Sequence, residues 1–181
     1  SLLPIIPCRD AYIPPYAFMT GASATQKKSA AANRVLTFAL RNERYAVNVM
    51  SVRKIIRPMD ISPVPRAPAE VLGVINWRGK IVPVVDLRIK FGFEAAAPTD
   101  RTCIVIVERG DRAGAPNLTG LLVDEVHEVI TLNSADTEDA PNFGAAVEAT
   151  YIRGVAKTKG AVTILLDLEQ MFAESKAEPT Q

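Results

Sequence analysis

The chain is poor in the side chains that carry most enzymatic chemistry. It holds a single histidine, His127, so a metal cluster or a Ser-His-Asp arrangement would have to be built around one imidazole. That imidazole lies within Asp124-Glu125-Val126-His127-Glu128, a run that reads as a solvated polar face. The two cysteines, Cys8 and Cys103, are far apart and show no metal-ligand spacing, which fits a reducing compartment. No glycine-rich phosphate loop follows a strand and opens a helix. Aromatic residues make up 6% of the chain, and 21 Lys and Arg against 20 Asp and Glu leave a formal charge of +1. A small nucleic-acid-binding β-barrel, the rival from another class, needs a basic stripe interleaved with aromatics, against which the low aromatic content and the balanced charge argue. No uninterrupted apolar run approaches a membrane span. Ser1 to Pro7 also lacks the basic start and apolar run of a secretory signal. A cytoplasmic protein is therefore expected, with no catalysis, no cofactor, no metal, no nucleic-acid partner and no direct membrane insertion.

At 181 residues the chain is long enough for one domain or two small ones. Residues 1–33 differ from the rest. Four prolines by Pro15 break any regular element, and Thr20 to Asn33 is small, polar and alanine-rich. A flexible, disordered leader is expected, with residues 1–18 either upstream sequence ahead of Met19 or a proline-rich tail. Order is expected from Arg34, where Val35 to Leu40 and Tyr45 to Val47 form a hairpin. Val49 to Ile56 fits a helical turn or a bulged strand. Residues 57–71 carry four prolines and form a loop, with Pro68 to Leu72 as a helical turn. Thr102 to Val107 and Leu118 to Val123 read as strands, Asn133 to Thr150 as a polar loop, and Asp167 to Ala173 as a final helix. The tail is 174–181. Many short strands separated by turns point to barrels or a sandwich, all-β with minor helix.

The most informative stretch is Leu72-Gly-Val-Ile-Asn-Trp-Arg-Gly-Lys-Ile-Val-Pro-Val-Val-Asp-Leu87. It reads as a β-hairpin whose tip carries Asn76, Trp77 and Arg78, with Gly79 supplying positive φ. Pro83 cannot donate a ladder bond and marks a bulge or an edge. The hairpin has an echo at residues 154–168. Gly73 aligns with Gly154, Gly79 with Gly160, and Asp86-Leu87 with Asp167-Leu168. A second echo lies upstream, where Val47, Val49, Val52, Ile55 and Ile56 correspond to Leu121, Val123, Val126, Val129 and Ile130. Two echoes in the same order predict a duplicated unit, with 34–92 as the first subdomain and 93–173 as the second. Symmetric placement of Asp86 and Asp167 predicts capping of backbone N–H groups.

Gly73 to Arg88, Leu121-Leu-Val-Asp-Glu-Val126 and Tyr151-Ile-Arg-Gly-Val155 resemble the CheW family of chemotaxis coupling proteins, from about Val35 to Phe172. That family usually carries leucine where this chain has Trp77. The resemblance implies two SH3-like five-stranded β-barrels packed together. It implies an adaptor that joins the cytoplasmic tips of methyl-accepting chemoreceptors to the regulatory domain of the histidine kinase CheA, within receptor arrays at the inner face of the membrane. A CheW-type module detached from a larger signalling protein is the alternative within the family. By this resemblance the receptor-binding residues are Arg78, Trp77, Asn76, Val52, Cys103 and Ile104. The kinase-binding residues are Ile152, Gly154 and Val155, while Gly73, Gly79 and Gly160 are structural turn glycines.

Overall fold

The computed structural model describes residues 33–110, 116–139, 149–158 and 160–173. The leader up to residue 32, Cys8 and the tail 174–181 lie outside the described residues. The described residues form eleven strands: β1 Arg34–Leu40, β2 Glu43–Asn48, β3 Val52–Ile56, β4 Val71–Trp77, β5 Lys80–Asp86, β6 Cys103–Gly110, β7 Pro116–Val123, β8 Glu125–Thr131, β9 Thr137–Glu138, β10 Ile152–Thr158 and β11 Ala161–Leu166. Two short helices follow the glycine hairpins, α1 Leu87–Lys90 and α2 Leu168–Ala173.

The strands form two sheets, β8-β1-β2-β11-β10-β9 and β3-β6-β7-β5-β4. Within each sheet one pairing is parallel, β2 with β11 and β5 with β7. Three apolar clusters account for this arrangement. Leu36, Phe38 and Leu40 of β1 and Cys103, Val105 and Val107 of β6 meet in a central cluster between the sheets. Ile104 and Ile106, on the opposite face of β6, join Ile75, Val82 and Val84 in a cluster belonging to the five-stranded sheet. Val35, Ala46 and Leu165 do the same for the six-stranded sheet. Alternation of side chains along a strand buries β6 on both faces, which explains its unbroken β-branched run. A row of rings crosses the central cluster, with centroid separations of 6.2 Å for Phe38–Tyr45, 5.4 Å for Tyr45–Phe91 and 6.4 Å for Phe91–Tyr151.

The duplication is visible strand by strand. Gly73 and Gly154 each follow a bulge, between Val71 and Gly73 in one hairpin and Ile152 and Gly154 in the other. Each is crowded by the carbonyl of a segment paired alongside its strand: a Cβ on Gly73 would stand 2.2 Å from the Ser62 carbonyl oxygen, and one on Gly154 2.9 Å from that of Glu138. The Asp86 amide donates to Glu70 O at 2.8 Å, and the Asp167 amide to Tyr151 O at 2.9 Å. Both aspartates cap the helix that follows. Asp86 Oδ1 accepts from the Arg88 amide, and Asp167 Oδ1 from those of Glu169 and Gln170.

The repeats are not the sheets, however. The six-stranded sheet combines β1 and β2 with β8 to β11, and the five-stranded sheet combines β6 and β7 with β3 to β5. Each repeat lends its first hairpin to the other, so assigning one barrel to 34–92 and the other to 93–173 is corrected. Because β3 pairs with β6 and β8 with β1, the exchange is reciprocal. Neither sheet closes by pairing of its two end strands among the described residues, and β9 makes one of them six-stranded.

Smaller departures have local causes. Val49–Ser51 is a 3-10 turn capped by Asn48, and β3 follows with a bulge between Val52 and Lys54, so both readings of that segment apply. Pro68 to Leu72 makes one turn hydrogen bond, Val71 N to Pro68 O, before β4 starts. Pro83 lies inside β5, between β4 and β7, at neither an edge nor the bulge. Its missing donor is tolerated because the parallel ladder to β7 begins only at Val84.

Candidate functional site at the first hairpin tip

Trp77 pairs with Lys80, leaving Arg78 and Gly79 as a two-residue turn with φ of 52° and 77°. Two positive φ values make this the mirror-image turn that matches the right-handed twist of its strands. Gly79 adopts it freely, whereas Arg78 is held there at a conformational cost. Asn76 Oδ1 accepts the Gly79 amide at 3.0 Å and braces the loop. In the second hairpin Thr158 pairs with Ala161, and Gly160, with φ of 75°, stands where Gly79 does.

Trp77 is partly buried and packs against the cluster inside the five-stranded sheet, capping its end. The Arg78 guanidinium lies over its ring, 5.0 Å from the centroid. Arg78 is exposed, and no carboxylate of the described residues pairs with it. Beside it Ile81 leaves 67% of its surface exposed. The tip therefore offers an exposed planar cation, an indole and an aliphatic side chain on a braced turn.

The other expected receptor-binding residues do not share this surface. Val52 and Cys103 belong to the central cluster and Ile104 to the five-stranded sheet's own, each with 0% exposure. Their expectation as groove-lining contacts is corrected, because a side chain without surface cannot touch a docked partner. Ile152 and Val155 are each 8% exposed, and Gly154 is buried under Glu138. Exposed Arg153 separates Ile152 from Gly154.

Sequence reasoning overlooked a buried ion network just behind the hairpin. Arg88 grips Asp86 through two bonds, Nε to Oδ1 at 3.0 Å and Nη2 to Oδ2 at 2.9 Å, and reaches Asp124 Oδ1 at 3.0 Å through Nη1. Asp124 Oδ2 also accepts the Arg41 amide at 2.6 Å, tying the β1–β2 turn to the same point. Hydrogen bonding to Asp86 raises the Arg88 pKa, burial opposes it, and the charges of Asp86 and Asp124 add to it. The signal was an arginine two residues after a capping aspartate, a spacing that lets one carboxylate hold both amide and guanidinium.

His127 is half-buried on β8, not solvated, so that expectation is corrected. Its Nε2 lies 3.6 Å from Glu125 Oε1. Neither its Nδ1 nor Glu125 Oε1 has a hydrogen-bond partner among the described residues. Burial lowers its pKa and Arg44 adds to this, against the opposing pull of Glu125 and Glu128. Among the described residues no group of three or more His, Cys, Asp or Glu is placed to hold a metal, and no helix is long and apolar enough to cross a membrane.

Comparison with known proteins agrees with this architecture. Residues 34–176 match the CheW-like domain. The chain is 34% identical to the chemotaxis protein CheW of Rhizobium meliloti over 144 residues, covering 80% of this chain and 90% of that one. It is 31% identical to the probable chemotaxis protein CheW of Rhizobium etli, with the same coverage. The crystal structure of the scaffolding protein TtCheW from Thermoanaerobacter tengcongensis superposes with a TM-score of 0.71 at 30% identity, covering 82% of this chain and 97% of that one. The chain belongs to the CheW-like domain family and is a chemotaxis coupling adaptor.

Proposed function

We propose that this adaptor bridges the cytoplasmic tips of chemoreceptors and the regulatory domain of the histidine kinase CheA, and that Arg78 is its receptor contact. The protein acts in the cytoplasm, in arrays at the inner face of the membrane, and catalyses nothing itself. The observation that carries this reading is the exposed Arg78 guanidinium on a turn braced by Asn76, with no carboxylate partner among the described residues. A guanidinium so presented suits bidentate capture of a partner carboxylate. The kinase is assigned to the opposite hairpin, around Ile152, Gly154 and Val155, where contact would run through exposed Arg153 and the backbone of β10 rather than through the two buried side chains. Each sheet is read as an SH3-like barrel. Support comes from the separate apolar cluster inside each sheet and from the Ser62–Val74 bridge, which brings the segment after β3 onto the free edge of β4.

Binding measurements on Arg78→Ala test the assignment. Affinity for a purified receptor cytoplasmic fragment should fall by about 1–3 kcal/mol, the range for a charge-assisted contact at a partly desolvated site. Affinity for the isolated kinase regulatory domain should be unchanged. Unaltered receptor affinity in a folded variant refutes the receptor contact.

A further inference from the structure

Resting on the reading of Arg78 as the receptor contact, we infer that Trp77 is a positioning residue that fixes the Arg78 guanidinium for a carboxylate approaching in its plane. An arginine at an exposed turn ordinarily samples many rotamers, and ordering it on binding costs entropy. Here the ring that holds it is itself held, because Trp77 packs on the cluster inside the five-stranded sheet. The 5.0 Å separation from the ring centroid is within cation–π range, and attraction to the π face of the ring consumes none of the guanidinium's N–H donors. Arg41, Arg53, Arg88 and Arg101 each spend their charge on a carboxylate of this chain, Glu94, Glu108, Asp86 with Asp124, and Glu125 in turn. Arg78 spends its own on an aromatic face, which orients the group without neutralising it. The backbone works in the same direction, since the Asn76–Gly79 bond and the positive φ at Arg78 limit where the side chain can start. The partner feature selected is therefore a carboxylate with both oxygens free, an Asp or Glu side chain on the receptor surface.

The test is a double-mutant cycle on the full chain, with a purified receptor cytoplasmic fragment as probe. Trp77→Leu keeps an apolar cap but removes the ring, and should weaken binding about two- to five-fold when Arg78 is present. In an Arg78→Ala background the same change should have almost no effect. Trp77→Phe should recover most of the loss. In the free protein the Arg78 side-chain resonances should carry a ring-current shift that Trp77→Leu abolishes, a readout that a merely structural cap would leave unmoved. Equal losses with and without Arg78, or no loss with Arg78 present, overturn the positioning role. If Arg78→Ala alone leaves affinity unchanged, the receptor assignment falls first and the positioning role falls with it.

Discussion

Replacing Gly73 with alanine should be among the most damaging single-methyl additions in this protein. The residue sits at φ of 148°, a region that L side chains rarely enter, and its new Cβ would meet the Ser62 carbonyl oxygen at 2.2 Å and Ile61 Cγ2 at 2.8 Å. The segment carrying Ser62 cannot retreat cheaply, because Ser62 N to Val74 O and Val74 N to Ser62 O are both 2.9 Å bonds. Losing both bonds and accepting the backbone strain sums to about 2–6 kcal/mol. Gly160 provides the control, since its φ is also positive but its Cβ would meet nothing within 4 Å. Gly160→Ala should cost only the left-handed backbone penalty, about 1–2 kcal/mol. Gly154→Ala, with ordinary φ and a 2.9 Å approach to Glu138 O, should fall between the two. Urea unfolding followed by circular dichroism and by fluorescence of Trp77, the sole tryptophan, measures all three. Equal or greater stability of Gly73→Ala relative to Gly160→Ala would show that the Ser62 segment does not constrain the hairpin.

Arg88→Ala should cost about 3–5 kcal/mol in the same assay, because it strands the buried Asp86 carboxylate, and a loss under 1 kcal/mol would contradict the ion network. Asp124→Ala, which leaves the bidentate Asp86 grip intact, should cost clearly less. His127 has a folded pKa below its unfolded value, so the unfolded chain takes up the proton first. Stability should hold above pH of about 6.5 and decline as pH falls through the lowered folded pKa, and His127→Gln should flatten that part of the profile. Arg78→Gly should raise stability by about 0.5–1 kcal/mol by relieving the left-handed strain, yet weaken receptor binding as much as Arg78→Ala does. A destabilised Arg78→Gly would show that the side chain matters for folding.

The hairpins, their tip and the two capping aspartates were legible because each depends on local chemistry. A glycine at a turn, an aspartate before a helix and alternating β-branched residues carry the same meaning wherever the chain goes next. The duplication was legible because Gly73 and Gly154 answer to the same constraint, the close carbonyl of a segment paired alongside. The exchange of hairpins between repeats was hidden, since β3 with β6 and β8 with β1 are long-range pairings that no local pattern encodes. The burial of Val52, Cys103 and Ile104 was hidden for a related reason. An apolar strand residue reads alike whether it faces a core or a groove, and only the second sheet or the interior cluster decides. β9 was missed because two residues of strand leave no periodicity.

In the proposed function one chain couples receptor to kinase through separate surfaces, with Arg78 on the receptor side. The decisive assay is kinase autophosphorylation in receptor-containing membranes, measured with no adaptor, with the wild-type chain and with Arg78→Ala. Stimulation should be strong with the wild-type chain and slight with the variant, although the variant still binds the kinase regulatory domain with wild-type affinity. Full stimulation by Arg78→Ala, or stimulation that does not require this chain, would contradict it.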